Sequence, residues 1–409
     1  MPKKGFLTTN LHSDREDSPE HGVLHKAIHL SVAYGYEDSH HLAEVFQGVR
    51  DGYNYGRQLN PTVTALQNRI TKMENGRASV AFATGMAAIT STMLALLRSG
   101  DHLIASAFLF GNTASFFTTL ERFGIEVSFV DATDVSNVAA AVKNNTRVVF
   151  AETIANPTTQ IADLEAIGEL CSTHSILYVI DNTMTSPHLF LPRSVNAGLS
   201  VNALTKYIGG HGNALGGTVT DTGCFNWDCY PNILDTCKSD DHSTWGITQI
   251  KKKGLRDMGG TLGPEAAHHL AVGSETLPLR MDRACDNALA LAEFCESHPR
   301  IKKTFYPGLN SHPQNQRAGN LFKKYGAIFS VELADELDCF EFLNHMDTVV
   351  SSSNLGDNRS LGIPVAHTIF HEIGAERRAA MGISDSMIRF SVGLEELEDL
   401  LRNFEEALV

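Results

Sequence analysis

From Ala78 onward, short apolar runs alternate with stretches in which apolar residues recur every three to four positions. SVAFA (79–83), HLIAS (102–106), VSFVD (127–131), RVVFAE (147–152), ILYVID (176–181) and LSVNAL (199–204) each predict a buried strand. Between them, 86–97, 112–122, 136–143 and 162–173 carry helical spacing. Such alternation predicts an α/β fold with a mostly parallel sheet covered on both faces. After about Trp245 the pattern changes. Residues 263–298 read as one long Ala- and Leu-rich helix, FYPGL (305–309) as a turn, and AIFSVEL (327–333) and IRFSVGL (388–394) as strands. A helical stretch at 337–346 and a terminal helix complete a smaller α+β unit. Residues 1–60 are polar and turn-rich, with Tyr34, Tyr36, Phe46, Tyr53 and Tyr55 scattered among them. They predict an arm that packs on something else, such as another subunit. The expected division is therefore an arm at 1–60, a large α/β domain at 61–245 and a C-terminal α+β domain at 246–409.

Composition narrows the function classes. The 409 residues are 43% hydrophobic and 20% charged, which suits a globular chain with a sizeable core. The formal net charge of −14 argues against nucleic acid and anionic membrane as partners. Lys251, Lys252 and Lys253 read as a solvated face rather than a nucleic-acid patch. The N-terminus lacks the apolar core of a signal peptide, and no window reaches the roughly 18 apolar residues of a spanning helix. Seven irregularly spaced cysteines predict free thiols in a reducing cytoplasm, and the Cys224, Cys229, Cys237 cluster matches no zinc spacing. His25 and His29 stand four apart, as metal ligands on a helix would, but stray histidines are the plainer reading. No metal is expected.

The candidate chemistry lies at strand ends, where open α/β sheets hold their ligands. Asp181 ends ILYVID, and a carboxylate there needs a cationic partner such as a protonated pyridine nitrogen. Capping the next turn (DNT) would also account for it. Lys206 follows LSVNAL and precedes the glycine-rich YIGGHGNALGG. A lysine held among apolar neighbours loses its proton below the free value of about 10.4 and becomes a nucleophile toward a carbonyl. A surface lysine at a strand terminus is the plainer alternative. FATGMAAITSTMLALL reads as a strand, a Thr84-Gly85 turn and a helix, whose first N–H groups would accept a phosphate. A phosphate cradle, a ring-nitrogen carboxylate and a carbonyl-capturing lysine, in that order, form one coherent set.

With these residues in place, the sequence from about Tyr34 to the C-terminus resembles the Cys/Met-metabolism (trans-sulfuration) family of pyridoxal 5′-phosphate (PLP) enzymes. That resemblance implies PLP fold type I, the aspartate-aminotransferase type, with PLP as a Schiff base on Lys206. YGRQLNPT (55–62) resembles the family's Tyr-x-Arg-x-x-Asn-Pro-Thr signature. By that likeness Tyr55 and Arg57 reach the phosphate of a neighbouring subunit's cofactor, which implies a homo-oligomer built from dimers of active sites, expected to be a tetramer. ATGMAAI (83–89) gives Gly85 and Met86 phosphate contacts through the backbone, and ETIANPT (152–158) gives Asn156 to the ring hydroxyl. DNT (181–183) and LTKYIGGHG (204–212) resemble the ring-nitrogen Asp and the Schiff-base Lys, with Thr205 on the phosphate. IRFSVGLE (388–395) places Arg389 on the substrate α-carboxylate.

Departures from the family pattern bear on specificity. Phe110-Gly111 stands where Tyr-Gly is usual, so the ring that stacks on the cofactor has no hydroxyl to protonate a leaving group. Asn112 replaces the Cys of methionine γ-lyases, and Ala203 replaces a phosphate-contacting Ser. SSSNLGD (351–357) resembles the Ser-Leu-Gly loop with Asn354 in the Ser position, and IPVAHTIF (363–370), which includes Thr368, replaces His-Pro-Ala-x-Met-Thr-His. Asn354 and Thr368 are the expected substrate contacts beside Arg389. The resemblance implies γ-elimination or γ-replacement on O-acylhomoserine, cystathionine, methionine or a related amino acid such as canavanine. A β-lyase acting on cystathionine or cysteine is the alternative among enzymes, and a non-catalytic PLP-binding regulator the alternative of another class.

Overall fold

A computed structural model describes residues 4–14 and 20–408; parts of the polar opening stretch, 1–3 and 15–19, lie outside the described residues. Seven strands form the larger sheet: β1 (Ala78–Phe82), β2 (His102–Ser106), β3 (Glu126–Val130), β4 (Thr146–Glu152), β5 (Leu177–Asp181), β6 (Leu199–Asn202) and β7 (Gly217–Asp221). Their spatial order is β1-β7-β6-β5-β4-β2-β3. β2 to β6 run parallel to one another, whereas β7 is antiparallel to both β1 and β6.

Period-two side-chain alternation explains why the parallel strands read as continuous apolar runs. On β4, Val149 and Ala151 enter one core, and Val148 and Phe150 the other. On β5, Tyr178 and Ile180 take the first face, and Leu177 and Val179 the second. A strand buried on both faces has no polar side to show.

A second sheet, ordered β10-β11-β12-β9-β8, is built from β8 (Ile301–Phe305), β9 (Ile328–Leu333), β10 (Val350–Ser351), β11 (Leu361–Pro364) and β12 (Met387–Ser391). The stretch read as one helix over 263–298 is two, Pro264–Ser274 and Leu277–Ser297. Thr276 leaves helical geometry at φ −98° and ψ 7°, and Pro278 starts the new helix, where its missing N–H costs nothing. Met281, Ala288 and Leu291 of the second helix share one continuous core with Ile180 of the larger sheet, Leu204 just beyond β6, and Phe329, Phe390 and Phe404 of the smaller unit. A seven-residue π-helix, Ile250–Arg256, follows the short helix Trp245–Gln249.

Candidate active site

The carboxyl ends of β4, β5 and β6 open into a cavity of about 610 Å³. Its lining includes Gly85, Met86, Phe110, Asn156, Asp181, Thr205, Lys206, Thr368 and Arg389. Nine of the residues singled out in the sequence, drawn from stretches up to three hundred positions apart, thus meet in one place.

One end of the cavity is the start of helix Gly85–Leu96. Thr84 caps it by accepting the Ala87 N–H at 2.9 Å, leaving the N–H groups of Gly85 and Met86 at the open first turn. Gly85 packs against β6's extension so closely that an added Cβ would stand 2.7 Å from the Ala203 Cβ. Thr183, the last residue of DNT, ties the two strand ends together: its hydroxyl accepts the Ala203 N–H at 2.8 Å. The Thr205 hydroxyl accepts the Gly216 N–H at 3.0 Å.

Asp181 accepts the Thr183 N–H at 2.9 Å, and burial raises its carboxyl above the usual range. In strand register it stands beside Glu152. Glu152 is buried, lines the same cavity and accepts the Phe110 N–H at 2.7 Å. Burial first, and the neighbouring Asp181 second, push the Glu152 carboxyl well above its ordinary range. The Asn156 side chain is buried with no partner for its amide oxygen.

Lys206 is half-buried, and its Nζ donates to Asn354 Oδ1 at 2.7 Å. Burial, with the Arg389 charge second, lowers its ammonium to about 8. Gly356 brings this loop in: at φ +73° it uses the left-handed region, and a Cβ there would fall 2.6 Å from the Tyr207 nitrogen. Arg389 on β12 is 1% exposed and donates from Nη2 to the Asn354 carbonyl at 2.8 Å, while its Nε is buried without a partner. Asn354 thus contacts both cationic residues from outside the cavity lining rather than from within it.

Two expected residues are elsewhere. Tyr55 and Arg57 do not line this cavity; both are exposed, Arg57 stacks over Tyr55 at 5.5 Å and donates to the Arg256 carbonyl. The exposed rim consists of Asn112, Leu215, Ser353, Thr368 and Glu372. Glu372 carried no motif. Glu152 did carry a signal, since it ends an apolar strand as Asp181 does.

The residues present fit PLP. There is an open helix start for a phosphate, a half-buried carboxyl for a ring nitrogen, an unfilled amide for a ring hydroxyl and a lysine of lowered basicity for the carbonyl. Fold and site together define a PLP-dependent enzyme of fold type I. A model of the family described as "Cys/Met metabolism PLP-dependent enzyme" matches residues 7–409, and the chain belongs to that family.

Its relatives agree. It is 36% identical over 410 residues to an L-methionine gamma-lyase of Fusobacterium nucleatum subsp. polymorphum, covering 99% of this chain and 98% of that one. It is 32% identical over 423 residues to an O-acetyl-L-homoserine sulfhydrylase of Leptospira meyeri, covering 98% and 96%. The solved structure of a putative O-acetylhomoserine (thiol)-lyase from Campylobacter jejuni, which carries a pyridoxyl-lysine-phosphate, superposes with a TM-score of 0.93 at 29% identity over 99% and 100% of the two chains. The protein is a PLP-dependent enzyme of the γ-elimination and γ-replacement class. No helix among the described residues is long and apolar enough to cross a membrane.

Proposed function

We propose that this enzyme breaks the bond to the γ-substituent of an amino acid whose substituent donates hydrogen bonds or carries positive charge. Bound PLP supplies an electron sink for negative charge at the substrate α-carbon. Arg389, buried with an unused Nε–H, receives the α-carboxylate in a fork and orients the α-carbon toward Lys206. Lys206, with its ammonium lowered to about 8, takes the proton from the α-carbon at Nζ and then moves one from the β-carbon, so that the γ-substituent can leave. Asp181 would hold negative charge at the ring-nitrogen position, and Gly85, Met86 and Thr205 would hold the phosphate. Asn156 would serve the ring hydroxyl, and Phe110 would offer its apolar face to the ring.

The observation that carries the substrate reading is the rim. Among the described residues, Lys206 and Arg389 are the basic side chains that line the cavity, whereas Glu372 and Asn112 stand at its exposed edge. An O-succinyl group would bring a second anion to Glu372, and a methylthio group would leave the polar edge unused. The oxyguanidine of canavanine matches both residues, and the distal ammonium of cystathionine matches Glu372.

Tyr55 and Arg57 serve a neighbouring copy's cofactor. Supporting this, they lie outside their own cavity on an arm that exposes Leu24, Leu30, Val32, Phe46 and Val49. We propose a tetramer of such dimers, working in the cytoplasm, with the chain divided as arm 1–60, cofactor domain 61–245 and C-terminal domain 246–409.

The test is product analysis by mass spectrometry of PLP-loaded enzyme offered canavanine, cystathionine, methionine and O-acetyl- and O-succinylhomoserine, with and without sulfide or cysteine. Wild type is expected to prefer the cationic substituents. Glu372→Gln should lower kcat/KM for canavanine by up to about fivefold and spare methionine, the scale of one exposed ion pair. Equal effects on all substrates would refute the assignment of Glu372.

A further inference from the structure

Glu152 sits where the strand order reverses. β2 and β4 are neighbours, yet the chain proceeds outward from β2 to β3 and in the opposite direction from β4 to β5 and β6. Such a reversal opens a crevice beyond the carboxyl ends of the two strands. Phe110, four residues past the end of β2, and Glu152, the last residue of β4, close it with the 2.7 Å hydrogen bond from the Phe110 N–H to Glu152 Oε1. Phe110 precedes the helix Gly111–Leu120 and offers no side-chain cap of its own, so this carboxyl fixes the backbone from which the phenyl ring projects.

The surroundings define the form in which Glu152 acts. Asp181 stands beside it on β5, and among the described residues neither carboxyl makes an ion pair. The cationic groups of the cavity are engaged elsewhere, Lys206 with the Asn354 side chain and Arg389 with the Asn354 carbonyl. Glu372 at the rim is a third acid. Two adjacent buried carboxyls do not both ionise without a counter-ion.

We propose that Glu152 is a positioning residue: through the Phe110 N–H it sets where the phenyl ring stands in the cofactor pocket, and it exchanges no proton with the substrate. It does this as the neutral acid, which leaves Asp181 as the single negative charge at the ring-nitrogen position. The proposal rests on PLP occupying this cavity and is independent of the substrate, because its test reads the cofactor itself.

PLP is titrated into the full-length apo-enzyme carrying Glu152→Gln, Glu152→Leu or Glu152→Asp, and the visible absorbance and circular dichroism of the cofactor band are recorded with kcat and KM. Gln keeps the acceptor oxygen and is neutral, so its dichroism and kcat should match wild type within about twofold. Leu removes the acceptor. It should keep the absorbance of lysine-bound cofactor but lose at least half of the dichroic amplitude, with kcat down about tenfold, the scale of one hydrogen bond, and KM little moved. Asp, too short to reach Phe110, should resemble Leu, and it decides the matter where Leu does not fold. Wild-type dichroism in Leu or Asp, or a Gln variant as impaired as Leu, would overturn the proposal.

Discussion

Arg389 is the side chain whose replacement the structure makes most informative. It is 1% exposed, pairs in the sheet with Ser330 and Ile363, and donates only from Nη2, to the Asn354 carbonyl. Among the described residues it has no carboxylate partner, and burial draws its guanidinium down to about 10. A guanidinium so placed awaits an anion. Two charge-assisted hydrogen bonds are worth about 1.5–3 kcal/mol each, and part of that repays desolvation of the substrate carboxylate, so a net of about 3 kcal/mol is expected. At about 1.4 kcal/mol per tenfold, Arg389→Leu should lose about two orders of magnitude in kcat/KM, mostly through KM. Arg389→Lys keeps the charge without the fork and should lose about tenfold.

Unfolding would not explain such a loss. Removing an unpaired buried charge is neutral or stabilising, so the Leu variant should melt at or above the wild-type temperature. The assay is steady-state release of ammonia from a substrate and from its α-carboxamide. The variant's penalty should be confined to the free carboxylate. A kcat/KM unchanged within about threefold, or an equal penalty on the amide, would refute the assignment.

The same residue governs the pH at which the site captures its cofactor. Lys206 is lowered to about 8 by burial and by the like charge of Arg389, so the rate at which apo-enzyme takes up PLP should rise through about pH 8. Removing the Arg389 charge lets Lys206 keep its proton longer, so Arg389→Leu should shift that rise to higher pH; a shift downward, or none, would contradict the coupling. Glu74 offers a stability test remote from the chemistry. It is buried behind β6, accepts from Ser200 at 2.8 Å and Asn202 at 2.5 Å, and is raised by burial from 4.5 to about 7. Between those two values the unfolded chain binds fewer protons than the folded one, so Glu74's contribution is full below 4.5 and lost as pH rises through about 7. Glu74→Gln should therefore gain in melting temperature relative to wild type across that window, and a constant difference would show that Glu74 does not titrate there.

Most of the larger sheet was legible because its strands are buried on both faces and so form unbroken apolar runs. β7 was not. GTVTD carries threonines in a fully buried strand, and Thr220 pairs with the Ser79 hydroxyl at 2.7 Å, so pairing across the sheet overrides a weak local signal. The break at Thr276 was legible in principle from Pro278 but was masked by helical periodicity on both sides. The π-helix Ile250–Arg256 leaves no signature that period counting detects.

At the site, charged residues ending apolar strands gave Asp181 and Lys206, and Glu152 bore the same mark. The lysine's partner was less accessible: Asn354 comes from 148 positions away, and only the turn at Gly356 shows that its side chain meets Nζ. Glu372 at the rim has no local signal at all, because it is defined by the cavity it faces.

The central claim is that Lys206 removes the α- and β-protons, the γ-bond breaks, and the γ-carbon then takes up a proton that has exchanged with solvent. It is tested most directly by turning over substrate in deuterium oxide and locating deuterium in the 2-oxo acid by mass spectrometry and NMR. The account predicts 2-oxobutanoate labelled at both C3 and C4, from wild type and not from Lys206→Ala. Pyruvate as the product, or 2-oxobutanoate without label at C4, would contradict it.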